Sequence, residues 1–210
     1  MKLLHIDSSI SGANSISRDL TAAVVTGILA DDPSAEITYR DLVADPVTHL
    51  NGAIAAGFRP LGVSTFDDTA QREHDISEQL VREFLASDTL VIGAPMYNFS
   101  VSTQLKAWLD RIAQPGKTFK YTATGPVGLS GGKRVIVVSA RGGFYTEGPM
   151  ARLDFQESYV KGFFGFLGID DVRFVRAEGA SRGDEIRQKG ITVARAAITD
   201  AIADIRAAVR

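Results

Sequence analysis

Cysteine is missing from all 210 positions. Disulfides, thiolate nucleophiles and Cys-ligated zinc or iron–sulfur centres are therefore excluded. Histidine is scarce, with three residues, His5, His49 and His74. His5 falls within an apolar run and reads as a satisfied core histidine. His49 falls in a connection and His74 on a polar helix face, and no spacing among them makes a metal set. Neither charge sign dominates: 23 Lys and Arg oppose 25 Asp and Glu, for a net charge of −2. No basic run offers a track for a phosphate backbone, so nucleic acid is not an expected partner. No apolar run has the length of a membrane span. The opening stretch, residues 1–7, is too short in apolar residues for a signal peptide and lacks a small-residue cleavage site. A cytoplasmic enzyme or carrier is the expectation. Internal repeats and low-complexity tracts are absent too.

What is present is an ordinary globular composition, 45% hydrophobic and 23% charged, of a length that suits one large domain over residues 1–210. Strand and helix periods alternate. Apolar strands are expected at 3–7, 36–42, 89–95, 134–140 and 172–177. Asp-Pro pairs (Asp32-Pro33 and Asp45-Pro46) bound the second. Helical spacing follows Leu20, Ala23, Val24, Gly27 and Ile28. It recurs at 67–87, with Ile76, Leu80, Val81, Phe84 and Leu85 as the apolar face. Further helices are expected at 102–113 with Ser102 as N-cap, at 153–167, rich in aromatics, and at 184–209, with Ile198, Ile202, Ile205 and Val209 inward. Residues 46–66 read as a long connection with a short helix near 52–57, and 114–132 as a Gly/Thr-rich excursion holding Phe119 and Tyr121. Strands apolar on both faces, alternating with helices, predict an α/β fold: a doubly wound five-stranded parallel sheet, helices on both faces. Such sheets bind ligands outside the carboxyl ends of their strands, at the switch point. Phosphatases of similar architecture that attack through a cysteine are excluded with that residue.

Three strand ends carry loops suited to one ligand. The first, Asp7-Ser8-Ser9 through Ser15-Ile16-Ser17, opens a helix whose free N–H groups favour an anion, and Arg18 could add charge. It lacks Gly-x-Gly-x-x-Gly and Gly-Lys-Ser/Thr, which argues against a dinucleotide turn and a nucleoside-triphosphate loop. A hydroxyl-lined loop suits a terminal monophosphate. The same serines would serve equally as a polar loop with a helix cap. The second loop is Ala94-Pro95-Met96-Tyr97-Asn98-Phe99. Pro95 stiffens it, Asn98 tolerates unusual backbone angles and offers amide groups, and Tyr97 and Phe99 can pack on a flat ring. The third is Ala140-Arg141-Gly142-Gly143, whose glycines permit close backbone approach and lend N–H donors to a ring that becomes negative on reduction. By itself it would be a flexible glycine turn. The ligand that suits all three walls is flavin mononucleotide, FMN. Asp7 at the end of the first strand could suit a phospho-acceptor, but no paired acidic residue is expected to adjoin it.

These motifs, with Ser102-Thr103-Gln104-Leu105-Lys106, Thr118-Phe119-Lys120-Tyr121, Gly125-Pro126 and Phe163-Phe164-Gly165-Phe166-Leu167-Gly168, resemble in order the bacterial FMN-dependent NADH:quinone oxidoreductases, also called azoreductases. The resemblance implies a flavodoxin-like fold with sheet order 2-1-3-4-5, a homodimer and one non-covalent FMN per subunit. It implies ping-pong two-electron reduction of quinones and cleavage of azo compounds, with NADH or NADPH as donor. Carried over by position, FMN contacts fall on Ser9, Ser15, Ile16, Ser17, Pro95, Met96, Tyr97, Asn98, Phe99, Ala140, Arg141, Gly142 and Gly143. The substrate pocket falls on Phe99, Tyr121, Tyr145 and Phe163, the last from the partner subunit. No protein nucleophile or metal is expected, since the flavin carries the chemistry. Two departures stand out. Ser139-Ala140-Arg141 replaces a more usual Thr-Ser-Arg run, removing one side-chain hydrogen bond, and Gly143-Phe144-Tyr145 is atypical, which bears on substrate range. A flavodoxin-like electron carrier without its own substrate pocket is the alternative, and a non-enzymatic interaction domain the third reading.

Overall fold

The computed structural model describes residues 1–59 and 65–203. Five parallel strands form one sheet: β1 (Lys2–Asp7), β2 (Glu36–Asp41), β3 (Thr89–Pro95), β6 (Arg134–Ala140) and β7 (Asp171–Ala177), in the order β2-β1-β3-β6-β7. The expected 2-1-3-4-5 order holds. Its last two strands are renumbered because the excursion before the fourth folds into an antiparallel hairpin of its own, β4 (Phe119–Thr122) and β5 (Gly125–Gly128). Helices α1 (Ile16–Asp31) and α6 (Asp184–Ala203) cover one face, and α3 (Asp68–Ala86), α4 (Thr103–Ile112) and α5 (Phe155–Phe166) the other. A short α2 (Gly52–Ala56) interrupts the connection after β2.

The strand period builds both cores. Leu90, Ile92, Val135 and Val137 point to the α3–α5 side, with Phe84, Trp108 and Phe164. Val91, Ile136 and Val138 point to the other side, against Leu20, Val24 and Ala194. Helix starts follow the expected chemistry: Ser15, Asn51, Asp67, Ser102 and Asp154 each accept a backbone N–H as N-cap. Gly128 is sterically obligatory. A Cβ on Gly128 would lie 2.1 Å from the backbone of Leu167 and Gly168, so the hairpin seats against the end of α5 only because that side chain is absent.

Several local expectations are corrected. On α3, Ile76 and Leu85 are exposed, and the buried face instead includes His74 and Ser77. His74 leaves the polar face because its Nε2 bonds Ala53 O (2.9 Å) and its ring meets Phe66 edge-on, pinning the α2 segment. His5 is buried, but its Nε2 makes no hydrogen bond. Ile205 and Val209 of the closing helix lie outside the described residues.

Candidate functional site

The chain reverses its winding between β1 and β3, and there the strand ends open a crevice of about 320 Å³, within the usual size of a small-ligand site. Ser9, Ser11, Asn14 and Ser15–Ser17 line one side, Pro95, Met96 and Tyr97 the next, and Ala140, Arg141 and Gly142 the third. The three loops expected to converge do so.

The serine loop is fixed from within. Ser8 Oγ donates to Gly93 O (2.7 Å), Ser9 Oγ lies 3.3 Å from the Tyr97 hydroxyl, and Ile10 N donates to that hydroxyl (3.2 Å). Tyr97 thereby joins the first two loops. Ser15 caps α1 by accepting from Arg18 N, and its Oγ meets Ser17 Oγ at 3.1 Å. The first N–H groups of α1 have no partner inside the helix and face this end of the fold.

Arg18 does not supply the crevice's charge. Its guanidinium grips both oxygens of Asp41 at 2.6 Å and reaches Ser9 O at 3.1 Å. Register explains why: Asp41 stands directly across from Asp7 on β2. Asp7 therefore does have an acidic neighbour, one that sequence distance conceals, and Arg18 lies between the two carboxylates. The Arg18 bond holds the Asp41 carboxyl down to about 2, against the cost of burial. Burial opposes ionisation of Asp7, yet the His5 ring beside it and bonds from Thr21 and Tyr39 bring its pKa below the usual carboxylate value. Burial, and then the Asp7 charge, push the Tyr39 phenol up to about 12. This cluster supports the serine loop from beneath.

Beyond β3, Tyr97 and Ser100 exchange backbone hydrogen bonds around Asn98 and Phe99, whose φ angles are 48° and 73°. Positive φ at both central residues marks a type I′ hairpin turn. Asn98, Phe99 and Gly143 do not line the crevice itself. Asn98 is exposed at its rim, and Phe99 meets Tyr145 with ring centroids 6.3 Å apart. Phe163 is partly buried on α5, its ring near Tyr159 and Phe164. Tyr121 stands 72% exposed on β4. The four expected pocket aromatics thus form one close pair and two separate members in a single chain.

The third loop uses its arginine inward. Arg141 has a fully buried guanidinium that pairs with Asp154, Glu157 and Glu178, while Gln156 accepts from its Nε. It ties the loop to α5 and to the end of β7, and its charge is spent there. The N–H groups of Gly142 and Gly143 bond no acceptor among the described residues.

A fourth wall escaped the sequence reading: Ala180, Ser181 and Arg187, after β7. Ala180 N and Ser181 N donate to Arg141 O and Gly142 O (2.9 and 3.0 Å), which extends the β6–β7 pairing past the strand ends. Gly142 packs on this wall, since a Cβ there would lie 2.9 Å from Ser181 Oγ. The available signal was the small-residue run Gly179-Ala180-Ser181 at a strand's carboxyl end.

Among the described residues no carboxylate lines the crevice. Hydroxyls and a helix start at one end, with the free Gly142 N–H at the other, suit a ligand with a phosphomonoester and a flat, polar-edged ring. Among the described residues no cluster of acidic or histidine side chains could hold a metal, and no helix is long and apolar enough to cross a membrane.

Sheet order and crevice together define a flavodoxin-like protein, and residues 1–202 match the family model described as a flavodoxin-like fold. The chain is 60% identical over 205 residues to FMN-dependent NADH:quinone oxidoreductase 2 of Xanthomonas euvesicatoria pv. vesicatoria (strain 85-10), covering 98% of this chain and 95% of that one. It is 57% identical over 202 residues to the FMN-dependent NADH:quinone oxidoreductase of Ralstonia nicotianae (strain ATCC BAA-1114 / GMI1000), covering 96% and 97%. Among solved structures, an FMN-dependent NADH-azoreductase from Bacillus anthracis str. Ames Ancestor in complex with FMN superposes with a TM-score of 0.84 at 27% identity, over 95% of this chain and 98% of that one. An azoreductase from Bacillus anthracis str. Sterne does so with a TM-score of 0.87 at 26% identity, over 95% and 97%. The chain belongs to the family of FMN-dependent NADH:quinone oxidoreductases.

Proposed function

We propose that this chain is an FMN-dependent oxidoreductase that moves two electrons from NADH to quinones and, by the same route, cleaves aromatic azo compounds. The observation that carries the reading is the meeting of the serine, Pro95–Tyr97 and Ala140–Gly142 loops around one acid-free crevice at the switch point. When bound there, FMN supplies the redox chemistry, accepting hydride from a nicotinamide and delivering electrons to the acceptor.

The chain's part is to bind and orient. Ser9, Ser15 and Ser17 and the start of α1 hold the phosphate. Pro95, Met96 and Tyr97 form a rigid wall, Asn98 offers its amide at the rim, and the N–H groups of Gly142 and Gly143 donate where negative charge develops. Phe99 and Tyr145 form one side of the acceptor pocket, and Tyr121 and Phe163 complete it across a homodimer. One FMN-binding domain spans the chain. Dependence on a pool of reduced nicotinamide places it in the cytoplasm.

Absorption titration of the purified protein with FMN, then with NADH and NADPH, tests the assignment. Stoichiometric FMN uptake, bleaching by NADH and turnover with a simple benzoquinone are expected. Failure to take up FMN overturns the reading. FMN uptake and reduction without quinone turnover turns it into an electron carrier.

A further inference from the structure

A phosphomonoester brings close to two negative charges into the crevice, and neither arginine near the serine loop or the third loop is free to meet them. Arg18 is held by Asp41 and Arg141 by three carboxylates. Arg187 is different. It lies in the first turn of α6, half-buried, and lines the same crevice as Asn14, Ser15 and Ser17. Its side chain makes no hydrogen bond or ion pair with any described residue.

Asp184 and Glu185 share the first turn of α6 with Arg187 but do not line the crevice, and two other acids are engaged elsewhere. Asp19 of α1 pairs with Arg195, two turns further along α6, at 2.6 Å. Glu178 accepts from Arg141 and from the amides of Tyr145 and Thr146. In the first turn of a helix, a long side chain leans toward the N-terminus, here the crevice end of α6. An uncommitted guanidinium beside hydroxyls and a helix start, with no carboxylate in the wall, is suited to a phosphate.

We propose that Arg187 is the cation that pairs with the phosphate of bound FMN, the role that sequence position assigns to Arg18. The proposal rests on the reading that the crevice holds FMN. It makes α6, through one side chain, part of the cofactor site.

The test compares FMN with riboflavin, which lacks the phosphate, by fluorescence titration of apo-protein of the wild type, Arg187→Ala and Arg187→Lys at two salt concentrations. Arg187→Ala is expected to weaken FMN about ten-fold, as loss of a charge-assisted contact does, and to leave riboflavin affinity unchanged. Arg187→Lys should fall between, and added salt should weaken FMN in the wild type more than in Arg187→Ala. Unchanged FMN affinity in Arg187→Ala overturns the proposal, as does equal weakening of both flavins, which would mark a merely structural role. A raised KM for NADH with FMN affinity intact overturns it too, by assigning the guanidinium to the nicotinamide's phosphates. Wild-type protein that binds neither flavin removes the FMN reading itself, whereas FMN binding unaffected by Arg187→Ala removes only the arginine's part.

Discussion

Phe99 sits at φ 73° beside Asn98 at 48°, a conformation that asparagine adopts readily and a bulky aromatic does not. Phe99 is 39% exposed, so its burial is incomplete, and the acceptor-binding role proposed for it would account for a strained aromatic at this turn. Phe99→Gly is expected to hold or raise stability by up to about 1 kcal/mol, and Phe99→Val to lower it by about 1–2 kcal/mol. Urea unfolding measures both, and equal destabilisation by Gly and Val would refute strain at this turn. Both variants should shift quinone preference. Gly142 presents a different constraint. Its missing Cβ makes room for Ser181 Oγ, so Gly142→Ala should push the Ala180–Ser181 wall and weaken FMN several-fold, and adding Ser181→Gly should restore most of the loss. Independent, additive effects in the double mutant would show that the two residues do not share one space.

At the scale of elements, the ends of β1 and β2 and the start of α1 form one electrostatic unit under the serine loop. Asp41 is held at about 2 against an ordinary 3.8. A carboxyl with a depressed folded pKa contributes stability above its unfolded value and loses it as pH falls through the folded one. The contribution is therefore complete above about pH 5 and gone near pH 1, with a size of about 1–2 kcal/mol once screening at a partly exposed pair is allowed for. Asp41→Asn should lower stability by that amount at neutral pH and converge with the wild type near pH 1. A constant gap between the two across this range would contradict the linkage. This unit also shows what the sequence could and could not convey. Buried strands such as β3 write continuous apolar runs, and a cap such as Ser102 announces its helix. The β4–β5 hairpin was illegible because it buries one residue, Phe119, and so leaves no alternation to read. Arg18 was misassigned because its partner Asp41 is 23 residues away and becomes a neighbour only through parallel register. The Ala180–Ser181 wall is held by backbone N–H groups, and the small-residue run Gly179-Ala180-Ser181 is its one trace in the sequence.

For the whole molecule, the apolar surface asks for a partner. Phe155 is 54% exposed, Phe144 49% and Met150 38%, and Phe155 N donates to Phe99 O at 3.2 Å, so this surface adjoins the acceptor side of the crevice. Exposed large apolar side chains of this kind are candidates for an interface. In a homodimer it would be covered, and aromatics that stand apart in one chain, Tyr121 and Phe163, could meet Phe99 and Tyr145 of another subunit. The residues proposed to hold the phosphate and the ring edge, by contrast, all belong to one chain. Assembly and cofactor binding should therefore separate. Sedimentation of the wild type is expected at twice the 22.5 kDa chain mass. Phe155→Glu, which places a charge in the patch, should shift it toward monomer and depress quinone turnover while FMN still binds to the crevice. Phe163→Ala should stay dimeric and FMN-bound with an altered quinone preference. A wild type that is monomeric and fully active would sink the shared pocket, because every aromatic in it would then have to act from the single chain, in which Tyr121 is 72% exposed and its ring meets Phe119.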